Sequence, residues 1–159
     1  MYDKTAPGEP GPMLTEVAAL SLPFVAMHMR GNPVTMQSLT EYQDVTEDVL
    51  SYFRAFSVKA EAVGLTDWIL DPGFGFAKTL EQNYQLMREL DRFSEFGRRV
   101  LVGVSRKSMI FRKFGITPEE SLPETQVLHY KSLCQGADIL RVHDVAEAVR
   151  TVELYRTLE

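Results

Sequence analysis

The chain has 159 residues, 45% hydrophobic and 25% charged, with a net charge of -5. That composition fits one globular domain, or a piece of one, with enough apolar residues for a sizeable core. Dispersed basic residues argue against a nucleic-acid face, and no long uncharged apolar run offers a membrane span.

Residues 1–12 carry Pro7, Gly8, Pro10, Gly11 and Pro12 and read as a loop or tail. A short helix follows over 13–20. Leu22 to Met27 reads as a strand, with Pro23 at its start, where a missing N–H is tolerated. Gly31-Asn32-Pro33 breaks the chain into a loop. Thr40 and Gln43 have capping-box spacing, and Val45, Val49, Phe53, Phe56, Ala60 and Val63 then form one helical apolar stripe, stopped at Gly64.

Thr66 to Leu70 is the second expected strand, and Asp71-Pro72-Gly73-Phe74-Gly75-Phe76-Ala77-Lys78 the loop after it. Thr79 and Gln82 repeat the capping-box signal before a helix faced by Leu80, Tyr84, Met87, Leu90 and Phe93 and ended by Gly97. The third strand spans Arg99 to Val104 and runs into Ser105-Arg106-Lys107-Ser108 and a short helix to Phe114. Ser121 and Glu124 suggest the next cap, for a helix to Gln135. The fourth strand is Asp138 to Val142. Asp144 and Glu147 open a last helix striped by Val145, Val149, Val152 and Tyr155.

Four strand–helix alternations imply parallel strands with right-handed crossovers. The strand ends Met27, Asp71, Ser105 and Arg141 are spaced 44, 34 and 36 residues apart, beside the ~31 residues per unit of a (β/α)8 barrel, so the expectation is half of such a barrel. Ligands bind such folds at the C-terminal strand ends, and those ends carry the polar residues here. Asp71 either caps its own Pro-Gly turn or presents a buried carboxylate to a ligand. Gly73 and Gly75 suit positive φ. Phe74 and Phe76 are either core or an aromatic platform. Lys107 sits in a solvated turn or in a site. Arg141 and His143, two apart on a strand end, can flank an anion, the alternative being an Arg paired with a core carboxylate. His28 and His129 read more simply as structural, and Cys134 as a small filler on a helix. A single cysteine excludes an internal disulfide framework and fits a reducing compartment. No signal-peptide pattern is present at the N-terminus, and the expectation is a cytoplasmic protein. There is no HExxH, cysteine cluster or dense carboxylate group, so no metal site is complete within the sequence.

Four runs together resemble dihydropteroate synthase. They are Met27-His28-Met29-Arg30-Gly31-Asn32-Pro33, Asp71 to Lys78, Val102 to Ser108, and Ile139-Leu140-Arg141-Val142-His143-Asp144-Val145, in the family's order and spacing. The resemblance spans roughly residues 13–155. It implies the C-terminal half of a (β/α)8 barrel, strands five to eight, with residues 13–159 a partial pterin-binding domain behind the tail of residues 1–12. It implies the condensation of 6-hydroxymethyl-7,8-dihydropterin diphosphate with 4-aminobenzoate, giving dihydropteroate and pyrophosphate in folate biosynthesis. Carried over by motif, Met27, Asp71, Gly103 and Lys107 would form the pterin pocket. Phe76 and Ser108 would line the aminobenzoate site. Arg141 and His143 would hold the diphosphate, and Lys107, Arg141 and His143 would be the catalytic residues. Mg2+ would act on the diphosphate through a ligand in the absent first half. The family is commonly homodimeric and acts on small molecules, with neither nucleic acid nor membrane as partner.

The sequence departs from the family pattern at Ala77, where glycine is usual, at Phe111, and at Pro123-Glu124-Thr125-Gln126. The first four strands of the family are missing, so the expectation is a fragment, or a half that pairs with another chain, unable to turn over alone. A methyltetrahydrofolate-type pterin-binding methyltransferase barrel, and a non-catalytic half-barrel that only binds pterin, are the alternatives.

Overall fold

The computed structural model describes residues 10–32 and 34–158, so most of the expected N-terminal tail lies outside the described residues. Helix α1 (Pro12–Ala19) is followed by β1 (Phe24–Met27), α2 (Val45–Ala62) and β2 (Trp68–Asp71). Next come α3 (Leu80–Arg88) with a 3-10 extension (Leu90–Phe96), β3 (Leu101–Val102) and α4 (Ser108–Phe114). Helix α5 (Leu122–Cys134), β4 (Ile139–Leu140) and α6 (Val145–Leu158) complete the chain. Pro12 therefore begins a helix, where a missing N–H costs nothing.

The strands are parallel and lie in chain order. β1 pairs with β2 from Phe24↔Trp68 to Met27↔Asp71, and β3 pairs with β4 at Leu101↔Ile139 and Val102↔Leu140. A single bridge, Leu70↔Val100, joins the two pairs. The result is four strand–helix units in the sequence of half a (β/α)8 barrel. Among the described residues, β1 and β4 each have one partner and one free edge.

The core forms where the α2 stripe meets the strands. Val49, Leu50, Phe53 and Phe56 are buried against Trp68 and Leu70, and Phe53 sits edge-on to Phe93 at 6.0 Å between ring centroids. All four residues of β2 are buried, as expected of a strand covered on both faces. The last helix differs. Its stripe is largely uncovered, with Val145 64% and Val149 49% exposed, and among its residues Ala148 alone is buried.

Several local readings need correction. The cap of α2 is Asp44, whose carboxylate accepts from the Thr46 and Glu47 amides at 2.9 and 3.0 Å; the Thr40–Gln43 spacing is not used as a cap. At α3 the Thr79–Gln82 box is made in both directions. At α5 the Ser121 hydroxyl turns back to the Pro118 carbonyl at 2.7 Å, and the reciprocal pair is Thr117 with Glu120, one turn earlier. Cys134 is exposed and fills nothing. The strands are shorter than their apolar runs, because a ladder stops where the neighbouring strand stops.

A candidate substrate site at the strand ends

Asp71 is the last residue of β2 and is 1% exposed. Its Oδ1 accepts from the Gly73 amide at 2.9 Å, so the cap expected of an Asp before Pro-Gly is made. Its Oδ2 has no hydrogen bond and faces Arg141 Nη2 at 3.3 Å. Both sequence readings of Asp71 therefore hold, one for each oxygen.

The loop after Asp71 is held by side chains that the sequence reading did not assign to the site. Lys78 is buried, and its ammonium donates to the Gly73 and Phe76 carbonyls at 2.9 and 3.1 Å and meets His28 Nδ1 at 3.0 Å. Asn83 accepts from the Gly75 amide at 2.7 Å and donates to the Thr79 carbonyl at 2.7 Å. At Gly73, φ is +73° and a Cβ would lie 1.9 Å from the His28 carbonyl oxygen, so no other residue fits. Ala77, where glycine is usual in the pattern, holds φ at 51° and is fully buried. An alanine there carries backbone strain of about 1–2 kcal/mol.

Burial sets the proton state of this bracket. Desolvation, with the charge of Lys78 beside it, lowers the His28 pKa to about 2, so the imidazole is neutral. Desolvation also lowers Lys78 to about 7, against the attraction of Asp71. No sequence pattern marks a buried lysine; its position at the end of the Asp71–Lys78 motif was the available signal.

Phe74 is fully buried and belongs to the core, which removes it as a platform. Phe76 is half-buried, and Lys107 Nζ stands 4.7 Å from its ring centroid. Lys107 also donates to the Phe74 carbonyl, and burial lowers its pKa to about 8, opposed by Asp71. Arg106, next to it, turns away with φ of 52° and binds Asp144 through Nε at 2.9 Å. That pair ties the Ser105–Ser108 turn to the start of α6. Ser105 is buried, and its hydroxyl meets His143 Nδ1 at 3.0 Å. Met27 and Ser108 are half-buried, at the end of β1 and the start of α4; Arg141 and His143 are exposed past the end of β4. The space above Gly103, which the resemblance would give to the pterin pocket, holds the guanidinium of Arg141, with Nη2 2.7 Å from where a Cβ would stand.

The geometry thus places a buried carboxylate between cations at one end of a parallel sheet. A half-buried aromatic lies beside it, and an Arg–His pair at its rim. Such a site suits a flat ring with adjacent N–H donors that carries an anionic tail. His129 lies apart in α5, buried, with Nδ1 3.2 Å from Gln126 Oε1. No group of three or more His, Cys, Asp or Glu able to hold a metal occurs among the described residues. Nor is any described helix long and apolar enough to cross a membrane.

A family model described as pterin binding enzyme matches residues 6–143. Dihydropteroate synthase of Escherichia coli K12 is 43% identical over 153 residues, covering 95% of this chain and 53% of that protein. The Yersinia pestis dihydropteroate synthase, solved as a sulfonamide drug complex, superposes with a TM-score of 0.88 at 35% identity, covering 91% of this chain and 54% of that one. The Thermus thermophilus enzyme in complex with 6HMPPP gives 0.88 at 34% identity, covering 92% and 59%. The chain spans about half the length of the curated relatives it matches.

Proposed function

The chain belongs to the pterin-binding enzyme family, and from that premise we propose that it carries the pterin and diphosphate half of a dihydropteroate synthase site. The activity proposed for the whole enzyme joins 6-hydroxymethyl-7,8-dihydropterin diphosphate to 4-aminobenzoate, releasing pyrophosphate. One observation carries the reading: Asp71 Oδ2 is buried, has no hydrogen-bond partner, and faces Arg141 at 3.3 Å, while its charge also acts on Lys107. A buried carboxylate oxygen in that state awaits donors, and the amino-pyrimidinone edge of a pterin supplies two.

Each side chain then has a task. Asp71 seats the 2-amino edge, Lys107 donates to the 4-oxo group, and Met27 packs on the ring face. Phe76 and Ser108 border the aminobenzoate. Arg141 and His143 take the diphosphate, with Ser105 fixing the His143 ring through Nδ1 so that its other nitrogen faces outward. As the carbon–oxygen bond to the diphosphate breaks, negative charge grows on the departing group, and the Arg141 guanidinium stabilises it with His143 beside it; no covalent nucleophile is needed. The residues present do not fit the Mg2+ that the family resemblance implies. This end of the sheet gathers cations around one buried carboxylate, and that carboxylate faces Arg141. We therefore assign the ion's protein ligands elsewhere, and the steps above do not use it. The same reading implies a cytoplasmic, homodimeric enzyme, which light scattering and fractionation test.

The experiment is calorimetric titration of the chain with the pterin diphosphate, beside Asp71→Asn. Saturable binding lost in the variant is the expected result; equal binding by both would remove Asp71 from the site. Competition by pyrophosphate is expected as well, and its absence favours the methyltransferase-type reading. Turnover is expected only when the residues of the other half of the site are supplied.

A further inference from the structure

Resting on that reading, we infer that Arg141 is a substrate-specificity residue. It occupies the pterin's seat on Asp71 until a diphosphate-bearing ligand offers its charge another place. Three observations support this. The guanidinium lies 3.3 Å from Asp71 Oδ2, yet makes no hydrogen bond to it. The contact is an ion pair of loose geometry, able to hold the carboxylate without saturating it. Arg141 itself is about half exposed, whereas Asp71 is 1% exposed. The arginine can therefore leave into solvent; the carboxylate cannot.

Gly103 is the third observation. Its φ is not in the positive range, so no backbone demand requires glycine there. What its missing side chain leaves is a flat place for the guanidinium, whose Nη2 and Nε lie 2.7 and 2.9 Å from where a Cβ would be. The folded-back position of Arg141 is thus built into the residue that follows β3.

The consequence is a selection between ligands. A pterin without an anionic tail must displace Arg141 from Asp71 and gives nothing back for the lost attraction. A pterin diphosphate displaces it and re-pairs it on phosphate oxygens. After pyrophosphate departs, the same cation is free to return to Asp71, which favours release of the condensed product. The arginine is then a competitor of bare pterins and a ligand of the diphosphate ester.

Calorimetry with 6-hydroxymethylpterin and with its diphosphate ester, on the chain and on Arg141→Met, tests this. The expected result is a crossing: the variant binds the bare pterin about tenfold tighter and the ester about tenfold weaker. Raising the salt concentration, which weakens a half-exposed ion pair, is expected to tighten bare-pterin binding in the parent chain and not in the variant. Bare-pterin binding that is unchanged or weakened in Arg141→Met, with ester binding intact in the parent chain, overturns this inference alone. Failure of the parent chain to bind the ester overturns the pterin-site reading and the inference with it. Arg141→Gln replaces the methionine variant if the latter does not unfold cooperatively.

Discussion

The two ends of the sheet are built to opposite standards. Around β1 and β2 the loop is braced by side chains: Lys78 gives its donors to two carbonyls and His28, Asn83 pins Gly75, and β2 is buried throughout, with Asp71 Oδ2 left without a hydrogen bond. Around β3 and β4 the ladder is two residues long. Arg141 and His143 are exposed, and α6 leaves a groove of about 520 Å³ against Leu140, Val142, Val149 and Val152. The first region is the more closely braced, where the proposed reading seats the ring. The second leaves Arg141 about half exposed, where the proposed reading has an anion arrive and leave. Bracing at the seat and exposure at the tail suit the proposed reaction, in which one part of the substrate stays and the other departs.

The contrast is tested most severely by paired truncations. Phe53→Ala removes a fully buried ring from the α2 interface and is expected to lower stability by about 3–5 kcal/mol. Val149→Ala, on the uncovered stripe of α6, is expected to change it by less than about 0.5 kcal/mol. Urea unfolding of both variants gives the comparison; equal losses would mean that α6 is covered in solution and that the two regions are alike.

Acid sharpens the difference next. Below pH 6.5 the unfolded chain binds a proton that folded His28 refuses until about pH 2, so stability falls as pH falls through that window. By about pH 5 the loss from His28 is on the order of 2 kcal/mol. His129, lowered to about 4 by burial, adds a loss of the same sign. Lys78 acts on the other side. Its pKa is depressed from 10.5 to about 7, so stability climbs as pH rises from 7 toward 10.5. Lys78→Met is expected to abolish that alkaline climb while leaving the acid limb of His129 in place, as read from thermal midpoints across pH. An alkaline climb that persists in the variant would show that Lys78 is not the buried cation of the bracket.

Much of this was legible before the structure, and what was not has a common cause. Strand order, the helix stripe of α2 and the meeting of Asp71, Lys107 and Arg141 at one end follow from periodicity and from the side on which parallel strands deliver their loops. The stripe of Val145, Val149, Val152 and Tyr155 was equally legible and equally apolar, yet periodicity reports which face a helix would bury and not whether anything is there to bury it. Lys78 and Asn83 were missed because a lysine or an asparagine satisfied by loop carbonyls and amides looks, in sequence, like one facing water. The resemblance placed Gly103 in the pterin pocket, but the occupant of the space above it is Arg141, 38 residues later and just past β4, a contact that only the fold creates.

The smallest expected effect separates the two capping-box readings, which are identical in sequence grammar. Thr79 accepts from the Gln82 amide at 3.3 Å while the Gln82 side chain accepts from the Thr79 amide at 2.8 Å. Thr79→Ala is therefore expected to cost about 1 kcal/mol. Glu124 returns no such bond to Ser121. Its Oε2 is buried without a partner, and an oxygen in that state costs more than it contributes. Glu124→Ala is thus expected to leave stability unchanged or to raise it slightly. The two variants, placed side by side in urea unfolding, ask whether the pattern or the closed pair of hydrogen bonds stabilises a helix start. A loss in Glu124→Ala equal to that in Thr79→Ala would mean that α5 is capped in solution as its sequence suggests, and that the better-braced half of the molecule extends further along the chain than β2 and its loop.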